Sequence, residues 1–354
     1  MFETAFKILF NSRKTYMPKT HSTILVTGGA GYLGNVVVRK LLSEGYNVKI
    51  FDTFFFGYDS LHDIKDKVEI FRGDIRTFNQ HGLDLTNVEA IINLAAFSND
   101  PTAEANPEAN MAINAEGTKI VATVAKQHHI RRFIQASSCS VYYTSNPNDE
   151  LKDEKSPINP TAPYSFTKRL AEQHLLELAD QDFAPVMLRQ ATVFGFSQRM
   201  RYDLVVNSFC KSAFSIGRLK VNSGGEMWRP LIHIDDIAEA YLACLRAPEE
   251  RIRGQIFNIS HKNYRILELA HWVKEILKDK KSIEVDVNYS DLSARDRSYR
   301  VSTEKIEQQI GFIAKRGVAD AVKTIWGYLE NNEYADFDNP KYYNIKWMEL
   351  GNIK

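Results

Sequence analysis

Only three cysteines, Cys139, Cys210 and Cys244, occur in 354 residues. They are too few and too scattered for a disulfide framework or a zinc site, so reduced thiols and a cytoplasmic location are expected. No uninterrupted apolar run reaches the roughly 18 residues that a membrane span needs. An excess of one sign of charge is also missing. The net charge of +1 gives no field for nucleic acid or an anionic membrane. An anionic small molecule has to be gripped by local groups. There is no internal repeat and no low-complexity segment. The opening stretch MFETAFKILFNSRKTYMPKTH has an early acid and a broken apolar patch, which make a poor secretion signal. It reads as an extension, with Phe2, Phe6, Leu9 and Phe10 on one docking face. HIDD at 233–236 matches no metal-ligand spacing, and Asp235 reads as a helix N-cap there. No metal is expected.

What remains is an ordinary globular composition, 44% hydrophobic and 25% charged, with ample length for a core. STILVTGG is a β-branched apolar run stopping at glycines, a buried strand. GYLGNVVVRKLLSEG follows as an amphipathic helix, then YNVKIFD, VEIFRGD, VEAIINLAA and RRFIQASS as further strands, with a long helical stretch over 106–127. Another helix covers about Pro163–Ala179, followed by the strand FAPVMLR. This alternation predicts an α/β fold, a doubly wound parallel sheet covered on both faces. Beyond Arg189 the rhythm loosens into a smaller α/β lobe. The expected division is an extension over 1–22, a nucleotide-binding domain over 23–190, a substrate lobe over 191–330 and a tail over 331–354. The tail is aromatic, without periodicity, and reads as a surface strap.

Gly28, Gly31 and Gly34 in TGGAGYLG have the spacing of a dinucleotide turn: a tight turn, close approach of backbone to pyrophosphate, and close helix–strand packing. The turn follows a strand, opens a helix and precedes Asp52 at the end of the second strand. Asp52 suits a ribose 2′-OH and repels a 2′-phosphate, so NAD is expected over NADP. Asp74, in RGDIR, is placed either to reach the adenine amino group or to cap a helix. Tyr164 and Lys168 are four apart on a helix and share a face. An ammonium beside a phenol, with the positive nicotinamide, lowers the phenol pKa toward neutrality. Such a tyrosine can take the proton of a substrate hydroxyl as hydride leaves the carbon. The hydroxyls of SSCS, at the carboxyl end of a strand, lie where such sheets bind ligands, and one of them can hydrogen-bond the same oxygen.

The order of TGGAGYLG, Asp52, GDIR, NLAA at 93–96, NAEGT at 114–118, SSCSVYY, YSFTK, RQATVFG at 189–195, RPLIHIDDIA at 229–238, DRSY and STEKIEQQIGF resembles the extended short-chain dehydrogenase/reductases, in particular the NAD-dependent nucleotide-sugar epimerase/dehydratase family. The resemblance runs from about Ser22 to about Tyr328. It implies a Rossmann-type sheet and a C-terminal nucleotide-sugar lobe. It implies Tyr164 as base, Lys168 as its partner and ribose anchor, and Ser138 as the active hydroxyl. It places Tyr32, Leu33, Ile75, Leu94, Ala95 and Ala96 beside the cofactor, with Phe97 and Asn114 bordering the site. Ser138, Cys139, Ser140, Thr192, Asn207, Arg229 and Arg297 become candidates for the substrate. A homodimer is expected through a four-helix bundle of helices 106–127 and 163–179. Departures are Tyr143 where the family commonly has glycine, Thr192 for a frequent asparagine, and Cys139 and Ser140 where dehydratases carry an acid pair. The expected reaction is oxidation at C4 of a nucleotide-linked sugar, by a 4-epimerase or 4-dehydrogenase. A 4-keto reductase, a dehydratase and a decarboxylase are the alternatives. A catalytically inert NAD-binding scaffold would show a broken Tyr/Lys pair, and here the pair is intact.

Overall fold

The computed structural model describes residues 21–143, 150–158, 160–289 and 298–351. Seven strands form the central sheet: β1 Thr23–Thr27, β2 Asn47–Asp52, β3 Glu69–Arg72, β4 Val88–Asn93, β5 Arg132–Ser138, β6 Ala184–Gln190 and β7 Gln255–Ile259. They lie in the order β7-β6-β5-β4-β1-β2-β3, and every neighbouring pair is parallel. Alternate residues feed opposite faces because strand side chains have a period of two. Ile24 and Val26 join a core with Val37, Val38 and Leu41 of helix Tyr32–Ser43 and with helix Ile234–Arg246. Leu25, between them, joins a second core with Val121 of helix Thr118–Gln127 and Leu175 of helix Pro163–Leu178. This is a Rossmann-like α/β fold, and the strand order reverses between β1 and β4. Such a switch point opens a crevice at the carboxyl ends of the strands.

Beyond β6 the strands Thr192–Phe194, Trp228–His233 and Lys262–Arg265 form a small mixed sheet. It shares a core with helices Val205–Ile216, Ile266–Ile276 and Val318–Glu330. The chain does not divide cleanly at residue 190. Strand β7 and helix Ile234–Arg246 fall within 191–330 yet complete the large sheet and its first core. A parallel strand needs a crossover, and here the crossover runs through the second lobe. His233, not Asp235, caps helix Ile234–Arg246, by accepting from the Asp235 N–H at 3.2 Å.

The long helix before β5 is interrupted by a π-helical stretch, Met111–Gly117. The tail is a strap, as its aromatics suggest. Trp347 Nε1 donates to the Phe55 carbonyl at 2.7 Å, Lys341 pairs with Asp59 at 2.9 Å, and Asn344 donates to Ser98 Oγ at 2.9 Å. The docking face expected over Phe2–Phe10 lies outside the described residues. No helix among the described residues is long and apolar enough to cross a membrane.

Candidate active site

A cleft of about 660 Å³ opens at the switch point. One wall is the glycine turn. Gly28 has φ +71°, and a Cβ there would lie 2.7 Å from the Ala95 backbone nitrogen, so β1 and β4 close together only over glycine. A Cβ on Gly34 would lie 2.2 Å from the Gly28 carbonyl oxygen, which enforces the close helix–strand packing. Helix Tyr32–Ser43 starts at Gly31 with no side-chain cap and no acid in its first turn. Its first N–H groups therefore remain available to an anion.

Asp52, at the end of β2, lines the cleft. Its carboxylate accepts from the Ala30 N–H at 2.9 Å and the Phe54 N–H at 2.7 Å. Burial pushes its pKa up, and those two N–H groups pull it back. Asp74 caps the turn Ile75–Gln80 by accepting from the Arg76 N–H at 2.8 Å, and it lines the cleft. Burial opposes its charge, but the Arg76 guanidinium, paired at 2.7 Å, holds its carboxyl below the usual range. Ile75, Leu33, Leu94, Ala95 and Ala96 line the same cleft. The Tyr32 phenol turns away into the second lobe and donates to the Gly195 carbonyl at 2.7 Å.

The reactive groups converge from β5 and helix Pro163–Leu178. The Ser138 hydroxyl hydrogen-bonds the Tyr164 phenol. Lys168 Nζ lies 5.8 Å from the Tyr164 ring centre and donates to the Ala136 carbonyl at 3.0 Å. All three residues line the cleft. The protein's own groups alone do not lower the phenol toward neutrality. Burial pushes Tyr164 up to about 12, against the Ser138 hydrogen bond and the Arg201 charge, and Asp100 adds to the rise. Lys168 is buried too. Desolvation pulls its pKa down to about 8, with only the Glu172 charge opposing.

Glu172, fully buried, accepts from Ser137 Oγ at 2.7 Å and from Arg189 Nε and Nη2 at 2.8 Å each. Arg189 also meets the Tyr142 hydroxyl, which donates to Asn258 at 3.0 Å. This network ties the ends of β5, β6 and β7 to the helix that carries Tyr164.

The substrate candidates divide. Ser138 and Thr192 line the cleft. Cys139 does not: its thiol is fully buried, donates to the Arg189 carbonyl at 3.0 Å and is raised by burial. Ser140 is buried off the cleft, its N–H on Ser138 Oγ at 3.1 Å. The turn Cys139–Tyr142 rotates both away. Asn207 is a core residue that accepts from the Gly195 N–H at 3.0 Å and donates to the Arg201 carbonyl at 2.9 Å. The Arg229 guanidinium donates to the Trp228 carbonyl at 2.9 Å and is absent from the cleft lining. Arg297 lies outside the described residues. In their place the cleft holds Arg199, Arg201, Asn344 and Met348, which spacing did not single out, and it also holds Asp100, Tyr143 and Tyr299. The Tyr143 hydroxyl donates to Asp100 at 3.2 Å, and the Tyr143 and Tyr299 ring centres are 5.0 Å apart. The run RMRYD, two arginines next to an apolar helix start, carried the signal for Arg199 and Arg201.

Residues 24–260 match the family described as NAD dependent epimerase/dehydratase. The chain belongs to the NAD-dependent epimerase/dehydratase family. It is therefore an enzyme of NAD-dependent chemistry, and the glycine turn, the uncapped helix start and Asp52 fit that dinucleotide. Among curated members of the family, UDP-glucose 4-epimerase of Bacillus subtilis is 25% identical over 338 residues, covering 87% of this chain and 97% of its own. The dTDP-D-glucose 4,6-dehydratase of Homo sapiens is 26% identical over 323 residues, covering 87% of this chain and 90% of its own. Among solved structures, DesIV, a dTDP-glucose 4,6-dehydratase of Streptomyces venezuelae crystallised with NAD, superposes with a TM-score of 0.75 at 23% identity, over 88% of this chain and 98% of that one. The family thus spans epimerases and dehydratases at nearly equal distance from this chain.

Proposed function

We propose that this enzyme oxidises the C4 hydroxyl of a nucleoside-diphosphate-linked sugar, with Tyr164 taking the hydroxyl proton. The observation that carries the reading is the convergence of Ser138, Tyr164 and Lys168 on the cleft that also holds the glycine turn and Asp52. Bound NAD supplies the hydride acceptor and a positive ring. Ser138 donates to or accepts from the sugar oxygen and orients it. Tyr164 holds the proton, and the ring charge supplies the pKa lowering that Lys168 alone does not. Lys168, held by the Ala136 carbonyl and biased by Glu172, anchors the ribose side. If the keto sugar turns over and is reduced on its other face, the net reaction is 4-epimerisation. If it leaves, the enzyme is a dehydrogenase. UDP- and dTDP-linked glucose are the first substrates to try, because named relatives act on them.

Dehydration has less support, because Cys139 and Ser140 are turned away from the cleft and neither is an acid. The one observation that favours it is Asp100, a carboxylate on the cleft wall beside Tyr143. Incubating UDP-, dTDP-, CDP- and GDP-sugars with the enzyme in deuterated water decides between them. C4 redox leaves C3 and C5 free of deuterium, and deuterium at C5 would replace this reading with the dehydratase one.

The same reading includes a homodimer through the faces of the 107–127 and 163–178 helices. Phe166 and Leu176 on the second of these are 47% and 38% exposed, large apolar side chains suited to burial against a copy. Light scattering of the purified chain tests it: twice the 40.5 kDa chain mass is expected, and a monomer would refute it.

A further inference from the structure

Arg199 is the unexplained charge of the cleft. It is 6% exposed and lines the cleft wall. Among the described residues only one of its five N–H groups has a partner, Nη2 donating to Asn344 Oδ1 at 2.7 Å, while its plane rests on the Phe56 ring at 3.5 Å. Its Nε is buried without a partner. Arg201, two residues on, shows the contrast: Asp203 holds it through two hydrogen bonds of 2.9 Å. Asp203 and Asp52 act on Arg199 through their charges, but Arg201 engages the first and the Ala30 and Phe54 N–H groups the second. Burial and the neighbouring Arg201 charge pull the Arg199 pKa down to about 9, as expected of a buried cation short of a counter-ion.

The loop that carries Arg199 is pinned to the start of helix Tyr32–Ser43. Ser197 Oγ donates to the Tyr32 carbonyl at 2.8 Å, and the Tyr32 hydroxyl donates to the Gly195 carbonyl at 2.7 Å. Arg199 therefore stands beside the uncapped helix N-terminus, where N–H groups and dipole already favour an anion. A guanidinium fork matches the oxygens of a phosphate.

We infer that Arg199 is a phosphate-binding residue of the dinucleotide site, gripping the NAD pyrophosphate from the cleft wall beside the helix start and held in place by Asn344 and Phe56. The C-terminal strap is then part of the cofactor site, held shut by Trp347 on Phe55 and Lys341 on Asp59. An enzyme that oxidises and re-reduces one sugar has to keep its cofactor in between, and this clamp retains it. The inference rests on NAD occupying this cleft and not on which sugar carbon is oxidised.

The test is calorimetric titration of the full-length protein, freed of nucleotide, with NAD, ADP-ribose, adenosine and UDP, for the wild type and for Arg199→Gln, Arg199→Lys and Asn344→Ala. Arg199→Gln should weaken NAD and ADP-ribose by about 10- to 100-fold, the loss of a hydrogen-bonded charge, and leave adenosine and UDP unchanged. Arg199→Lys should recover part of that loss, and Asn344→Ala should cost about 3- to 10-fold. If Arg199→Gln fails to fold, the other two variants decide, since both keep a cation in place. Unchanged NAD affinity in the variants overturns the inference. Weakened UDP with unchanged NAD also overturns it and gives Arg199 to the substrate diphosphate. Adenosine weakened as much as NAD overturns it as well, since that marks a packing role.

Discussion

The two walls of the cleft are built in opposite ways. The dinucleotide wall comes from the ends of β1, β2 and β4 and works through backbone: glycines without Cβ atoms, an uncapped helix start, one carboxylate fixed by two N–H groups. The opposite wall is made of side chains from five separate segments, Asp100, Tyr143, Arg199 with Arg201, Tyr299 and Asn344. Backbone geometry tolerates almost no change and serves one ligand shape. A wall of side chains can be re-tailored residue by residue.

Breaking the first wall should have the largest effect. Gly28→Ala sets a Cβ 2.7 Å from the Ala95 nitrogen at φ +71°, and strain plus overpacking should cost about 2–6 kcal/mol of stability. Chemical denaturation and the NAD content of the purified variant measure this. Normal stability with full NAD would mean that the turn is looser than described.

Glu172 ties the ends of β5 and β6 to the helix that carries Tyr164. Glu172→Gln leaves the Arg189 guanidinium buried without its carboxylate, at a cost of about 3–5 kcal/mol by denaturation. A cost below about 1 kcal/mol, the range of an exposed pair, would contradict the network.

The Lys168 charge sets a pH dependence. Its pKa falls from 10.5 in the unfolded chain to about 8 in the folded protein. Between those values the unfolded chain binds the proton and the folded protein does not, so stability rises with pH across that window and is lost as pH falls toward 8. Melting curves of wild type and Lys168→Met across that range should converge at the alkaline end. Parallel curves would show that Lys168 is not buried as described.

The side-chain wall gives smaller effects. Tyr143→Phe removes one hydrogen bond to Asp100 and should raise KM by about 2- to 10-fold with kcat little changed. A fall in kcat alone would make Tyr143 part of the chemistry. Cys139→Ala should leave both constants unchanged, because the thiol faces the Arg189 carbonyl and not the cleft. A lost turnover would make the thiol part of the chemistry.

The same contrast explains what was legible beforehand. The glycine turn, Asp52 and the Tyr164/Lys168 pair rest on local spacing, and a strand end or a helix face places such residues without further information. Cys139, Ser140 and Asn207 were misplaced because side-chain direction in a turn or a buried helix is set by packing that spacing does not carry. Burial raises the Tyr164 pKa and lowers that of Lys168, a tertiary fact that spacing does not carry. Arg199 and Asn344 meet across 145 residues of chain, so neither could announce the other. The domain division erred at β7, which returns to the large sheet after a passage through the second lobe.

The central claim is that the phenol of residue 164 takes the proton of the oxidised hydroxyl. Its most direct test is single-turnover reduction of bound NAD by a competent nucleotide sugar, followed by absorbance in wild type and in Tyr164→Phe with equal NAD content. Loss of the general base should slow the step by about 10²- to 10⁴-fold. A Tyr164→Phe enzyme that reduces its NAD at the wild-type rate would contradict the account.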